Sequence, residues 1–162
     1  MIDCFLSLGS NKGRRKEHID RAISILDESS DISLLSISQI YESKSMYNTQ
    51  MDNFYNGVVR IKTSLSPDEL LRYTKDIEKQ LGRKRGKERY SPRTIDIDIL
   101  CYGDKIITSD ELTIPHPQIK ERRFVLKPWA DIDSNYILAK SNKKISELLK
   151  ESKDNSKLLS VK

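Results

Sequence analysis

The sequence contains only two cysteines, Cys4 and Cys101, among 162 residues. Both lie in apolar segments that resemble strands, so we expect buried, reduced thiols rather than a disulfide. No apolar segment approaches the roughly 18 residues that a membrane-spanning helix needs. The first residues, MIDCFLSLG, include an acid at position 3 and do not have the pattern of a signal peptide. These absences predict a cytoplasmic protein that does not associate with membranes.

Internal repeats and strong compositional bias are also missing from the sequence. Charged residues make up 33% of the chain and apolar residues 36%, which is typical of a soluble globular protein. The length is sufficient for one hydrophobic core, so we predict a single domain over 1–162, in which about 140–162 form a peripheral tail. The formal net charge of +5 favours an anionic partner, either nucleic acid or a phosphorylated small molecule.

Hydrophobic periodicity predicts core elements in the order strand, helix, strand, strand, helix, strand. The predicted strands are 2–8, 32–41, 54–63 and 94–100, the predicted helices are 14–28 and 67–81, and 124–130 is a short helix or strand. The second helix has a clear start, because Ser66-Pro67-Asp68-Glu69 forms a capping box with proline at the first helical position. The order predicts an α+β fold with a ferredoxin-like βαββαβ core, a mainly antiparallel sheet and helices on one face.

The segment SPRTIDIDIL, residues 91–100, carries two acids on one face of a predicted strand. Its isoleucines alternate with Asp96 and Asp98, so the isoleucines should face the helices and the acids the other side. A rise of about 3.3 Å per residue separates the two Cα atoms by about 6.6 Å. Close carboxylates are unfavourable unless they are protonated or neutralised, and divalent cations neutralise them well. A solvent-exposed outer face is the alternative explanation for the pair considered alone.

Basic residues surround this acidic pair. The segment RKRGKERYSPR, residues 83–93, holds six basic residues and one acid, and PHP at 115–117 and the pair Arg122-Arg123 follow the strand. Arginine matches phosphate oxygens with its planar fork, and Mg²⁺ binds one or two carboxylates together with phosphate oxygens. No P-loop motif is present. The combination predicts phosphoryl-type transfer that depends on magnesium, with 83–93 as a mobile lid that bound phosphates would order.

Two other classes of protein share some of these features. A small basic α+β sheet could bind nucleic acid, but such sheets typically expose stacked aromatic residues, whereas this strand exposes Asp96 and Asp98. Without metal, these acids would repel a phosphate backbone. A metal-dependent nuclease uses the same chemistry of two ions, so the residues alone leave that alternative open.

Five segments together narrow the choice among these classes of protein. They are GSN at 9–11, FYN at 54–56, IEKQLGR at 77–83, PRTIDIDIL at 92–100 and LTIPHPQIKERRFVLKP at 112–128. The set resembles the 6-hydroxymethyl-7,8-dihydropterin pyrophosphokinases of folate biosynthesis over about residues 2–133. The resemblance implies the α+β fold described above. It also implies transfer of the β,γ-pyrophosphoryl group of ATP to the pterin hydroxymethyl group, with release of AMP.

The resemblance also implies roles for individual residues at the ATP end of the site. Asp96 and Asp98 would bind two Mg²⁺ ions that bridge the ATP phosphates and the substrate hydroxyl. Arg83 and Arg93 would contact phosphates and take part in catalysis. Further ATP contacts would come from Glu78, Ile99, His116 and Arg122. The ordinary alternatives are a surface glutamate, a turn histidine and a solvated arginine.

The same resemblance implies a pterin site. Phe54 and Phe124 would sandwich the flat ring, and the amide of Asn56 would recognise its edge. Ser43 and Met46 would complete the site. The two phenylalanines could instead be ordinary core residues. We expect small-molecule substrates only, with no binding of nucleic acid or membrane. We also expect a monomer, because neither long helix has a second apolar face.

Overall fold

The computed structural model describes residues 1–45, 50–83 and 92–162. Its elements, in chain order, are β1 (Ile2–Ser10), α1 (Arg15–Glu28), β2 (Ile32–Ile37), β3 (Tyr41–Ser43), β4 (Phe54–Thr63), α2 (Pro67–Gln80), β5 (Asp96–Tyr102), β6 (Ile107–Thr108), β7 (Thr113–Ile114), a 3₁₀ helix (Ile119–Glu121), α3 (Arg123–Asp133), β8 (Ile137–Leu138), β9 (Lys143–Lys144), α4 (Ile145–Glu151) and β10 (Leu159–Ser160). No helix within these three ranges is long and apolar enough to cross a membrane.

The main sheet has the strand order β10-β3-β4-β1-β5, with β2 also paired to β4. All of these pairings are antiparallel. The central strand β1 lies between β4 and β5, and α1 and α2 connect the strands. The predicted ferredoxin-like βαββαβ core is therefore confirmed.

The predicted strand 32–41 is two strands, β2 and β3, which both pair with β4. The strand is interrupted at Ser38, between β2 and β3. The backbone N–H of Ser38 donates to the carbonyl of Val58 at 2.9 Å, and the Ser38 hydroxyl accepts the N–H of Val58 at 2.8 Å. A side-chain oxygen thus replaces one backbone acceptor, which allows the strand to bend without leaving a buried donor unpaired.

Helix α2 begins as the sequence predicts. The Ser66 hydroxyl accepts the N–H of Glu69 at 3.2 Å, and the Glu69 carboxylate accepts the N–H of Ser66 at 2.7 Å. Pro67 occupies the first helical position, where its missing N–H removes no helical bond. The chain leaves the helix through Gly82, whose φ of +88° lies in the left-handed region that favours glycine. This helix holds Glu78 close to β5.

The isoleucine side of β5 packs against α1 and α2, as the alternation predicts. The buried core on this side includes Ile95, Ile97, Ile99, Ile19, Ala22, Leu26, Leu70 and Ile77. Burial of such side chains stabilises the fold by roughly 1.5–3 kcal/mol each, which is why the register of β5 is strongly specified. A shift of one residue would turn Ile97 and Ile99 away from the core.

The other face of the sheet is partly covered by α3 and α4, which corrects the expectation of helices on one face only. Phe5 on β1 packs against Trp129 of α3, with ring centroids 4.8 Å apart. Leu100 and Cys101, near the end of β5, join the same cluster. Asp96, at the start of β5, lies beyond this cluster and keeps 23% of its side chain exposed. The sequence indicated only a short helix or strand at 124–130, because Pro128 interrupts the pattern.

The segment after Ala139, which we expected to be peripheral, makes ordered contacts. Ile145 and Leu148 of α4 are buried in the second cluster. Strand β10 pairs with β3 and so forms one edge of the main sheet. The pairing of β10 with β3 has no local signal in the sequence.

Candidate functional site

Strand β5 carries Asp96 and Asp98 on the face opposite its isoleucines. In the antiparallel register Asp96 lies opposite Gly9 of β1, and Asp98 lies opposite Ser7. Gly9 also lies opposite Asn56 of β4. Residues that face one another across a sheet point to the same side, so an acid, a glycine and an amide form one row.

Gly9 has a specific steric role in this row. A Cβ atom at this position would lie 2.6 Å from the Oδ1 atom of Asn56. That distance is shorter than a non-bonded contact allows, so any other residue would displace the amide. Asn56 itself is 7% exposed and lies opposite Tyr41 of β3. The backbone of β1 thus fixes where the amide group of Asn56 can stand.

Arg83 and Arg93 both bind Asp96. The Nη1 atom of Arg83 is 2.7 Å from one carboxylate oxygen, and the Nη1 atom of Arg93 is 3.1 Å from the other. Arg83 also donates to Glu78 at 2.5 Å. Although burial alone would lower it, the carboxylates of Asp96 and Glu78 raise the pKa of Arg83. Both arginines therefore point at Asp96 and form ion pairs with it.

Glu78 is a buried residue of the site rather than a surface glutamate. Only 3% of it is exposed, and its second carboxylate oxygen accepts the N–H of Ile97 at 3.3 Å. Burial and the negative charge of Asp96 raise its pKa, although Arg83 acts in the opposite direction. Its contacts show that Glu78 positions Arg83 and the start of β5.

The arginine beside Asp98 lies farther away than the two arginines that bind Asp96. Burial, followed by the charge of Asp96, raises the pKa of Asp98 to about 7. Among the described residues, it forms an ion pair with Arg122, whose Nη1 atom lies 3.8 Å away. Arg122 also donates to the side-chain oxygen of Gln118, and its guanidinium lies over the ring of Phe124 at 5.6 Å. The acidic pair therefore favours an additional positive charge beside Asp98.

His116 lies beside this end of the site. The backbone N–H of His116 donates to the carbonyl of Leu100 at 3.0 Å, and the imidazole Nδ1 atom accepts the backbone N–H of Gln118 at 3.2 Å. Burial and the positive charge of Arg122 lower the pKa of His116 to about 4. The imidazole is neutral at pH 7, and its other nitrogen, Nε2, would then carry the proton as a hydrogen-bond donor.

The predicted pterin residues lie on two parts of the structure, the strand pair β3–β4 and the helix α3, which are called the two walls of the proposed pterin site. Phe54 and Asn56 alternate along β4 and so share one face, and Ser43 lies opposite Phe54. Phe124 is on α3, where it is partly exposed beside the second hydrophobic cluster. The hydroxyl of Tyr41, next to Asn56, donates to Asp131 of α3, which connects the two walls.

One predicted site residue, Ile99, does not come to this face with its side chain. The side chain of Ile99 is buried in the core beneath α1 and α2. Met46, and most of the basic segment 83–93, lie outside the described residues. The sequence reasoning missed Ser7, and only the register between β1 and β5 could have identified it.

The donor atoms of the site suit a hard divalent cation that is shared with a ligand. Within the described ranges, no three or more His, Cys, Asp or Glu side chains form a group that could hold a metal by themselves. Two carboxylates on one strand are the number that Mg²⁺ usually takes from protein when phosphate oxygens complete its shell. The pair Asp96 and Asp98 therefore fits magnesium in the presence of a phosphorylated substrate.

The fold and the site define an α+β protein of ferredoxin-like topology with an acidic pair flanked by arginines. Residues 5–134 match the family model of 7,8-dihydro-6-hydroxymethylpterin-pyrophosphokinase. The chain belongs to this family, and the resemblance seen in the sequence is confirmed.

Two relatives that match over most of their own length are also named as pyrophosphokinases. The 2-amino-4-hydroxy-6-hydroxymethyldihydropteridine pyrophosphokinase of Bacillus subtilis is 41% identical over 79% of this chain and 76% of its own. The Aquifex aeolicus protein of that name is 43% identical over 85% of this chain and 84% of its own. A Pneumocystis carinii relative, folic acid synthesis protein fol1, is 46% identical, but the match spans only 18% of that protein.

Solved structures support the fold. The chain superimposes on a Plasmodium falciparum HPPK-DHPS wild type solved with pteroate, with a TM-score of 0.74 and 18% identity. The match covers 93% of this chain and 42% of that one. The chain thus spans less than half of this larger protein.

Proposed function

We propose that this chain transfers the β,γ-pyrophosphoryl group of ATP to 6-hydroxymethyl-7,8-dihydropterin, releasing AMP, in folate biosynthesis. The observation that carries the proposal is the placement of Asp96 and Asp98 on one face of β5, with Arg83, Arg93 and Arg122 within 4 Å of their oxygens. Family membership and the names of the relatives support the same reaction. In that reaction the pterin hydroxyl oxygen bonds to the β-phosphorus and the hydroxyl proton is released. The bond between the β-phosphorus and the oxygen that bridges it to the α-phosphorus breaks, and AMP leaves with that oxygen.

Asp96 and Asp98 would hold two Mg²⁺ ions together with the phosphates of ATP. Metal ions in such sites neutralise phosphate charge and favour the ionised form of a hydroxyl group. Arg83 and Arg93 bind Asp96 directly, so phosphate oxygens near this carboxylate would meet two further positive charges. Glu78 would keep Arg83 in place. The chemistry needs positioning and charge neutralisation more than covalent help.

The remaining ATP contacts would come from the other end of β5. Neutral His116 can donate a hydrogen bond from Nε2, and Arg122 supplies a charge next to Asp98. Ile99 is proposed to contact ATP only through its backbone, because its side chain belongs to the core.

Pterin recognition would use the walls formed by β4, β3 and α3. The amide of Asn56 can both donate and accept, which matches the alternating donors and acceptors at a pterin edge. Phe54 and Phe124 would supply apolar ring faces, with Ser43 beside them and Met46 as a further expected contact. A monomer is part of the proposal, because the apolar sides of α1 and α2 are already buried against the sheet. A cytoplasmic location is also proposed, because Cys4 and Cys101 are buried free thiols.

One assay tests the reaction against its alternatives. The purified protein is incubated with Mg²⁺ and ATP, with and without the hydroxymethylpterin, and the nucleotide products are separated by chromatography. We expect AMP only when pterin is present, in amounts equal to the pyrophosphorylated pterin. A metal-dependent nuclease would cleave nucleic acid without pterin, and a binding module would form no AMP under either condition. AMP formation independent of pterin would contradict the proposal.

A further inference from the structure

Residues 152–162 lie beyond 5–134, the segment that matches the family model. They nevertheless contact both walls of the proposed pterin site. One contact is to the beginning of α3, which carries Phe124, and the other is to β3, which carries Ser43. These two contacts indicate a role for the C-terminal segment in the site.

The first contact is a helix cap supplied from a distant part of the chain. The Oδ2 atom of Asp154 accepts the backbone N–H of Arg123 at 2.9 Å, across a separation of 31 residues. Arg123 is the first residue of α3, and Arg122, at the cap position, makes no side-chain cap bond of its own. The first N–H groups of a helix have no partner within it, and a carboxylate there interacts favourably with the helix dipole. Asp154 therefore holds the residue immediately before Phe124.

Asp154 is itself held in place by its neighbours. Its Oδ1 atom accepts the N–H of Ser156 at 3.0 Å and also the Ser156 hydroxyl, and its own N–H donates to Ser152 at 3.3 Å. Burial alone would raise its pKa, but the hydrogen bonds from Ser156 and Arg123 lower it. The carboxylate is thus ionised at neutral pH and has a defined orientation.

The second contact is the pairing of β10 with β3. Leu159 lies opposite Glu42, and Ser160 lies opposite Tyr41. The N–H of Val161 adds a hydrogen bond to the carbonyl of Ile40 at 2.9 Å. Strand β3 has β4 on its other side, so β10 closes an edge that would otherwise leave the short strand β3 paired on one side only.

We propose that 152–162 is a positioning element for pterin binding. Asp154 fixes the start of α3 and with it Phe124, while β10 fixes β3 and with it Ser43. Both parts would act through α3 and β3, so Asp154 is a positioning residue. The inference rests on the proposed function, because it assumes that Phe124 and Ser43 line the pterin site.

The test compares Asp154→Ala with Asp154→Asn, whose amide oxygen can still accept the N–H of Arg123. Lys153→Ala is the matched control, because Lys153 is an exposed neighbour in the same segment. Calorimetry gives the dissociation constants for hydroxymethylpterin and for a non-hydrolysable ATP analogue. Loss of the cap should weaken pterin binding about fivefold and ATP binding much less. The asparagine variant should recover most of the loss, and the control should bind as the wild type does.

Deletion of 152–162 should weaken pterin binding further than Asp154→Ala, since it also removes β10. Wild-type pterin affinity in both Asp154→Ala and the deletion would overturn the inference. Equal weakening of both ligands without recovery in Asp154→Asn would also overturn it, because that is the result expected of a general loss of stability. If the deletion does not fold, the two Asp154 variants decide. Failure of the proposed function is seen separately, as a wild-type chain that binds no pterin and forms no AMP.

Discussion

Asn11 and Arg93 hold each other by two hydrogen bonds. The backbone N–H of Arg93 donates to the Oδ1 atom of Asn11 at 2.7 Å, and the backbone N–H of Asn11 donates to the carbonyl of Arg93 at 3.1 Å. Asn11 is 1% exposed and directly follows β1. The bridge therefore fixes the backbone of Arg93 while its guanidinium binds Asp96.

Asn11→Ala should reduce both activity and stability. It leaves the N–H of Arg93 without this acceptor, which should lower the free energy of unfolding by about 1–3 kcal/mol. Because Arg93 then loses its fixed position, kcat should fall about tenfold while the pterin dissociation constant changes little. Asn11→Asp keeps an oxygen at the same place and serves as the control. Activity in Asn11→Ala equal to that of the wild type would show that the bridge does not position Arg93.

Replacing the two acids should abolish activity with different effects on stability. Asp96→Asn and Asp98→Asn should each lower kcat about a thousandfold or more, because each removes a proposed metal ligand. Asp96 binds two arginines at 2.7 and 3.1 Å, whereas Arg122, the cation paired with Asp98 in the described part of the chain, is 3.8 Å away. Thermal unfolding should therefore show a lower Tm for Asp96→Asn and an unchanged or higher Tm for Asp98→Asn. High Mg²⁺-dependent turnover in either variant would contradict the assignment.

Gly9→Ala should impair pterin binding specifically. The new methyl group would meet the Asn56 amide at 2.6 Å and push it out of the row. We expect the KM for pterin to rise about tenfold, which corresponds to one lost hydrogen bond of roughly 1.4 kcal/mol. Gly57→Ala is the matched control, since its Cβ would have no neighbour closer than 3.4 Å. A similar rise in both variants would mean that the effect comes from the strand and not from Asn56.

Phe124→Ala separates a ligand contact from a core role. If the ring stacks on pterin, pterin affinity should fall by about 1–3 kcal/mol, an estimate taken from stacking of bases on aromatic side chains. ATP affinity should change less, because the contact of the ring with the Arg122 guanidinium, at 5.6 Å, is a cation–π interaction that contributes only about 0.5–1 kcal/mol. Phe124→Tyr keeps the ring face and should bind pterin nearly normally. Equal losses for both ligands would support a core role.

Stability should decrease at alkaline pH because of the buried thiols. Burial is the main cause that raises the pKa of Cys4 to about 12 and that of Cys101 to about 11. An unfolded thiol ionises near pH 8.5. Below that value both states keep the proton, but above it only the unfolded chain loses it, so the free energy of unfolding falls as pH rises towards 11.

Urea unfolding at pH 7.5 and pH 10 measures this effect. The difference between the two values should shrink in Cys4→Ala, because one of the titrating groups is gone. At pH 8 the native protein should not react with a thiol reagent, whereas the unfolded chain should react at both cysteines. Rapid labelling of the native protein would contradict the burial of these residues.

Features encoded locally could be predicted from the sequence. The alternation in SPRTIDIDIL was sufficient to place Asp96 and Asp98 opposite the β5 isoleucines, and the Ser66–Glu69 capping box marked the start of α2. Each of these signals depends on residues within one element. Hydrophobic burial then leaves few alternative orientations for the element.

Features that depend on distant partners could not be predicted. The break at Ser38 exists because its hydroxyl meets the N–H of Val58 on another strand. The cap on α3 comes from Asp154, and the helices on the second face depend on packing of Trp129 against Phe5. No local pattern specifies such pairs, because they form only when the sheet brings separate segments together.

The pairing of β1 with β5 also has a consequence for how the protein folds during its synthesis. Asp96 and Asp98 lie opposite Gly9 and Ser7, so the first and last strands of the βαββαβ core must meet before the acidic pair has its native surroundings. Contacts between residues so far apart in the chain form slowly, because a long loop has to close first. A ribosome-bound chain that ends before β5 contains Asn56, Glu78 and Arg83 but not Asp96, the carboxylate that Arg83 binds on β5. Ligands that depend on Asp96 and Asp98 can therefore bind only a chain whose core is complete, and they stabilise that state alone.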